Sequence, residues 1–170
     1  MPKTVQEIFD IVDKGLAAQG FQRSMAPDKP LCVYRAPNGY KCAAGHLIAD
    51  SHYHTDLENI PADNPAVVQA LVRSDVLHGP SVDIAGRNLA ELDLIQQLQR
   101  IHDGSKTPSE LKARLYFVAG QRNLTVPEID KEEPGYDPGI AALPAYDASK
   151  DFAVLGAFSP LDIEEGNSNA

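Results

Sequence analysis

LCVYRAPNGYKCAAGHLIAD, residues 31–50, joins two flanks of alternating character through a Pro-Asn-Gly turn. Pro37 presets φ at the first loop position, Asn38 tolerates the second and Gly39 suits a left-handed third, the chemistry of a three-residue hairpin loop. The register that follows sets Ala36 opposite Tyr40, Arg35 opposite Lys41 and Tyr34 opposite Cys42. Cys32, Tyr34, Cys42 and Ala44 then share an apolar face suited to a core, while Val33, Arg35, Lys41 and Ala43 share the other. A small β-hairpin is therefore expected. It runs into the apolar pair Leu47 and Ile48 and then into a polar, titratable stretch from Asp50 to Asp56.

Helix signals surround this element. Thr4 and Glu7 form a capping-box pattern ahead of Ile8, Ile11, Val12 and Leu16, and Gly20 closes that helix. Pro27 and Pro30 keep residues 21–30 irregular. A short helix is expected near Asp50 or Ser51. Asn64 caps a helix with Pro65 at its first position and Val68, Leu71, Val72 and Val76 inward, stopped by Gly79 and Pro80. Asn88 and Glu91 open another, lined by Leu94, Ile95, Leu98 and Ile101 as far as His102. Thr107, Pro108 and Glu110 start the last, with Leu111, Leu115, Val118 and Ala119 inward. The expected fold class is α+β: three to five helices packed around a small β-hairpin, in one globular domain over residues 1–125.

Residues 126–170 differ in texture. They hold ten acids against Lys131 and Lys150, a balance of −8 within a total of −9, and Pro127, Pro134, Pro138 and Pro144 interrupt them. An extended acidic arm is expected, with an apolar docking segment at 152–158 in which Phe152, Val154, Leu155 and Phe158 seek a partner surface. That partner could be the chain's own helices, a second copy in a homo-oligomer, or another protein. The near-neutral body and acidic arm offer no broad basic field for nucleic acid. No run of eighteen apolar residues and no secretory pattern at MPKTVQEIFD is present, so a soluble cytoplasmic protein is expected, with no membrane partner. Cys32 and Cys42 are expected to remain thiols.

The pattern Cys32-x-Tyr34-Arg35, Gly39-x-Lys41-Cys42-Ala43, Gly45, Leu47-Ile48-x-Asp50 resembles a motif of small bacteriophage and prophage proteins, as do Leu98-Gln99-x-Ile101-His102-Asp103 and the closing helix through Val118 and Ala119. The resemblance covers roughly residues 4–125. It implies a phage or mobile-element setting, in the host cell cytoplasm, and no established activity.

Three constellations bear chemistry. Arg35 and Lys41, cross-strand neighbours beside Tyr40, could hold an anion, or could merely protect a sheet edge. Cys32, Cys42 and His46 are a loose metal set, against which stands the plainer reading of two buried thiols. His46, Asp50, His52 and His54 could serve as general acid and base, or form a solvated loop. His102 beside Asp103 reads as an imidazole at the negative end of a helix. No cofactor motif occurs. The leading expectation is a binding protein that acts by contact with a host factor, in counter-defence, without catalysis. A small-ligand or nucleotide-signal sponge and a small hydrolase built on the His46 to Asp56 cluster are the alternatives.

Overall fold

The computed structural model describes residues 1–79 and 89–127. The chain order is α1 (Val5–Ala18), α2 (Ala43–Leu47), two 3-10 turns (Asp50–His52 and Thr55–Leu57), α3 (Pro65–Arg73), α4 (Leu89–Gly104) and α5 (Pro108–Gln121). α2 rests on both α1 and α4, α1 also meets α4, and α5 packs on α4. Ile8, Phe9, Val12 and Leu16 of α1 share one fully buried core with Leu94, Ile95 and Leu98 of α4 and Leu111 and Leu115 of α5. Each such side chain contributes roughly 1.5–3 kcal/mol of burial, so the helical pairing is carried by these stripes. None of the described helices is long and apolar enough to cross a membrane.

The caps follow the sequence closely. Thr4 accepts from Glu7 N–H while the Glu7 carboxylate accepts from Thr4 N–H at 2.7 Å, completing the box and lowering the Glu7 pKa. Asn64 accepts from Ala66 N–H and Thr107 from Glu110 N–H, each with a proline in the first turn behind it. α3 ends at Arg73, earlier than the Gly79-Pro80 stop expected. Asp75 takes a left-handed φ of 55°, and Val76 and Leu77 are buried in the turn beyond. Asn88 and Pro80 lie outside the described residues.

The α+β class is corrected: among the described residues there are no strands, only two isolated antiparallel bridges, Met25 with Cys32 and Arg35 with Lys41. The turn forms as its chemistry demands. Gly39 sits at φ 87°, Asn38 accepts from Tyr40 N–H, and Ala36 N–H reaches Tyr40 O at 2.8 Å. The flanks then diverge after a single pair, because side chains take the backbone bonds that neighbouring strands would make. Gln19 grips Lys41 at both ends, Oε1 accepting its N–H at 3.0 Å and Nε2 donating to its carbonyl at 2.9 Å. Across the turn the Glu58 carboxylate accepts Tyr34 N–H at 2.7 Å and Arg35 N–H at 3.1 Å. With the ladder thus satisfied, Cys42 becomes a helix cap, its Sγ accepting from Gly45 N–H, and Ala43, expected on the face opposite the core, is fully buried in α2.

Small residues make α2 fit. A Cβ on Gly45 would lie 2.1 Å from the Tyr34 carbonyl oxygen, and one on Gly15 would lie 2.4 Å from the His46 ring. We expect Gly45→Ala to destabilise by about 1–3 kcal/mol or more, since the obstacle is backbone. Gly120→Ala, with open space around it, should instead stabilise α5 by about 0.5–1 kcal/mol. Urea melts of the two variants check this, and equal destabilisation by both would contradict the packing of α2 against Tyr34.

Candidate functional site

Arg35 and Lys41 both reach the same acid. Asp50 Oδ1 lies 2.6 Å from Arg35 Nη1 and 3.2 Å from Lys41 Nζ, and these two donors hold its carboxyl below the usual range. Arg35 Nη2 also donates to Ile48 O at 2.6 Å, and its guanidinium lies 4.4 Å over the Tyr53 ring. Tyr40, half-buried, contributes its carbonyl to Ser24 Oγ. The expected anion pair thus has an anion from its own chain, and Asp50 belongs to that grip. Tyr53 in turn donates to Glu58 at 2.5 Å; burial first, and then this carboxylate, push its hydroxyl up to about 12.

The histidines separate. His46 lies in the α1–α2 crossing against Gly15 and donates Nε2–H to Gln19 Oε1 at 3.1 Å. His52 is half-buried in the first 3-10 turn and His54 is exposed before the second. Among the described residues His46, Asp50, His52 and His54 do not gather as a ligand group, nor do Cys32, Cys42 and His46. Cys42 is fully buried at the α2 cap, where burial raises its thiol pKa.

A different trio does converge: Cys32, His102 and Asp103 offer ligand atoms within 4.8 Å of one another. The ring of His102 is fully buried, and Ser24 N–H donates to its Nε2 at 3.1 Å, so Nδ1 carries the proton and donates to Asp103 Oδ1 at 2.9 Å. Both ring nitrogens are engaged, and a metal would have to displace one of these bonds. Cys32 faces Met25 Sδ at 3.6 Å, and burial, then Asp103, raise its thiol to about 12, far from a reactive thiolate. Arg23 adds a bond to Asp103 O at 3.1 Å. The group clips the loop before the turn to the C-terminal end of α4. His102 therefore binds a backbone N–H from a distant loop, whereas the sequence suggested an imidazole facing late helix carbonyls.

Among the described residues a cavity of about 230 Å³ lies between α4 and α5. Arg100 on α4, Arg114 on α5 and Arg122 at the end of α5 line it together with the apolar Ile101, Val118 and Phe117. Phe117 is 37% exposed, one of few large apolar side chains left in water among the described residues. Arg122 is tied to Asp93 and, at 3.0 Å, to Gln97 Oε1, and Arg114 pairs with Glu110 at 2.6 Å. Arg100 has no ion pair among the described residues. With Arg122 answered by Asp93 and Arg114 by Glu110, the excess positive charge of the cleft falls on Arg100. The sequence reading missed it. Its signal was there, in the polar faces of two helices: Asp93, Gln97 and Arg100 recur at helical spacing, as do Arg114, Phe117, Gln121 and Arg122.

No protein-family profile, curated protein or solved structure matches the chain. The expected partner residues Phe152, Val154, Leu155 and Phe158 lie outside the described residues.

His46 supplies a pH test. Burial first, and then the charge of Lys41, lower its pKa from 6.5 to about 4. Above pH 6.5 the ring is neutral folded or unfolded; between 6.5 and 4 the unfolded chain binds the proton more readily, so stability falls as pH falls through that window. Thermal melts across this range should show a shallower decline in His46→Gln than in the parent. Superimposable pH profiles would show that the ring is not held in the crossing.

Proposed function

We propose that the protein acts by binding, with the α4–α5 cleft receiving an anionic group of its partner. The observation that carries this reading is the gathering of three arginines with Ile101, Val118 and Phe117 in one cleft, with Arg100 free of ion pairs among the described residues. Guanidinium forks suit carboxylate and phosphate oxygens, and the apolar lining favours anions attached to an apolar neighbour. The resemblance to bacteriophage and prophage proteins makes a host protein the favoured partner. Contact without catalysis is supported by how the titratable candidates are used. Asp50 answers two cations, His46 fills a helix crossing, and the thiols are pushed upward. The cleft, at about 230 Å³, falls below the roughly 300–1,000 Å³ typical of sites that enclose a drug-sized ligand, which favours a few side chains of a protein over a whole nucleotide.

Pyrophosphate is a suitable probe of the cleft because it presents several oxygens to the arginines. It should raise the melting temperature of the full chain at low ionic strength, by an amount that grows with its concentration and shrinks with added salt. Arg100→Glu with Arg114→Glu should abolish the rise without unfolding the protein, since Arg114 leaves only a half-buried i,i+4 pair, a class worth about 0.3–0.5 kcal/mol. An undiminished rise in the double variant would place the anion elsewhere.

A further inference from the structure

The three arginines of the cleft are not equivalent. Arg122 is tied to Asp93 and sends both Nε and Nη2 to one acceptor, Gln97 Oε1, at 3.0 and 2.9 Å. A guanidinium only donates, so the amide oxygen must face it, and Nε2 is the end of Gln97 left over. That Nε2 has no partner among the described residues, although Gln97 is half-buried and lines the cleft. Arg114 is drawn to Glu110, and its Nη1 lies 3.7 Å from where a Cβ on Gly104 would stand, towards the opposite end of α4 from Asp93. Arg100 follows Gln97 by one turn of α4, so the two side chains are neighbours on the helix surface. Arg100 alone of the three has no ion pair among the described residues.

We propose that Gln97 Nε2 and the Arg100 guanidinium together receive one side-chain carboxylate of a partner peptide, with an apolar neighbour of that acid against Ile101, Phe117 and Val118. Arg122 and Asp93 hold the Gln97 amide in place for this contact. The inference rests on the reading of the cleft as an anion site and narrows it to one class of anion. Charge selects the carboxylate. With Arg114 and Arg122 answered within the chain, the positive charge of Arg100 is left over, and a single carboxylate neutralises it. A phosphate monoester brings about −1.5 to −2 at pH 7, more than the cleft offsets. The neutral amide adds donors without adding charge, as a monoanion requires. Captured chain termini are held by nests of free backbone N–H groups, whereas the backbone of α4 and α5 along the cleft is spent on helix bonds. An Asp or Glu side chain is therefore the carboxylate this site suits.

N-acetyl-Asp-Phe-amide is the probe, with N-acetyl-Asn-Phe-amide as its uncharged twin and N-acetyl-Phe as a terminal carboxylate. In amide NMR spectra of the full chain the acidic dipeptide should move the Gln97 side-chain signals, and the twin should leave them in place. Gln97→Glu keeps an oxygen for Arg122 and removes only the donor. Its melting temperature should equal or exceed the parent's, while its affinity for the acidic dipeptide falls about tenfold or more. Gln96→Glu adds the same charge at a position outside the cleft lining and should cost less than about twofold. Unmoved Gln97 signals in the bound parent would overturn the inference, as would unchanged affinity in Gln97→Glu or an equal loss in Gln96→Glu. Tighter binding of N-acetyl-Phe than of the dipeptide would overturn it in favour of a chain terminus. Pyrophosphate bound through Arg100 and Arg114, with no response to the dipeptide, would overturn it and leave the anion cleft standing. A chain that takes up neither would remove both.

Discussion

Gln19 holds the backbone at Lys41 as a neighbouring strand would, and the rest of the domain depends on that substitution. With both polar groups of Lys41 bonded to one side-chain amide, and Tyr34 and Arg35 N–H bonded to Glu58, the turn at Pro37-Asn38-Gly39 needs no sheet around it. Buried backbone groups must find partners, and here long side chains anchored on other elements supply them. The chain is free to leave the turn at Cys42 and coil. The same Gln19 Oε1 accepts from His46, so the amide also fixes how α2 meets α1.

That freedom is used for close packing. Ala43, Ala44 and Gly45 bring the α2 backbone against its neighbours, with Ala44 N–H donating to Gln99 Oε1 of α4. α2 is only five residues long and has no stability of its own, since a helix of that length is unfavourable in isolation. It exists because its first N–H groups are met by Cys42 Sγ and Gln99 and because its faces are buried against α1 and α4.

Legibility in the sequence divides by the range of the interactions. Thr4 with Glu7, Asn64 with Pro65 and Thr107 with Pro108 and Glu110 are local devices, and each caps the helix the sequence indicates. Gly39 adopts the left-handed φ, and Arg35 pairs with Lys41, for equally local reasons. What could not be read was the set of bonds from Gln19, Glu58 and Gln99 to distant backbone. Nothing in the alternation around residues 31–44 reveals that a remote amide or carboxylate will replace a strand. The same holds for function. Arg35 and Lys41 looked available until Asp50 was found between them, whereas the cleft arginines became a group only when two helices were laid side by side.

The bonds that close the fold also set an order of assembly. Ser24 meets His102 across 78 residues of chain, Ala44 meets Gln99 across 55, and Gln6 meets Thr125 across 119. During synthesis α1 and the turn therefore emerge long before their partners in α4 exist, and α2 lacks its second cap until Gln99 has left the ribosome. Loops of this length close slowly, because their entropy is lost before the contacts form. The amino-terminal half thus leaves the ribosome with the part of its α1 face that α4 will cover still unpaired, and only α2 lies against it until α4 is made.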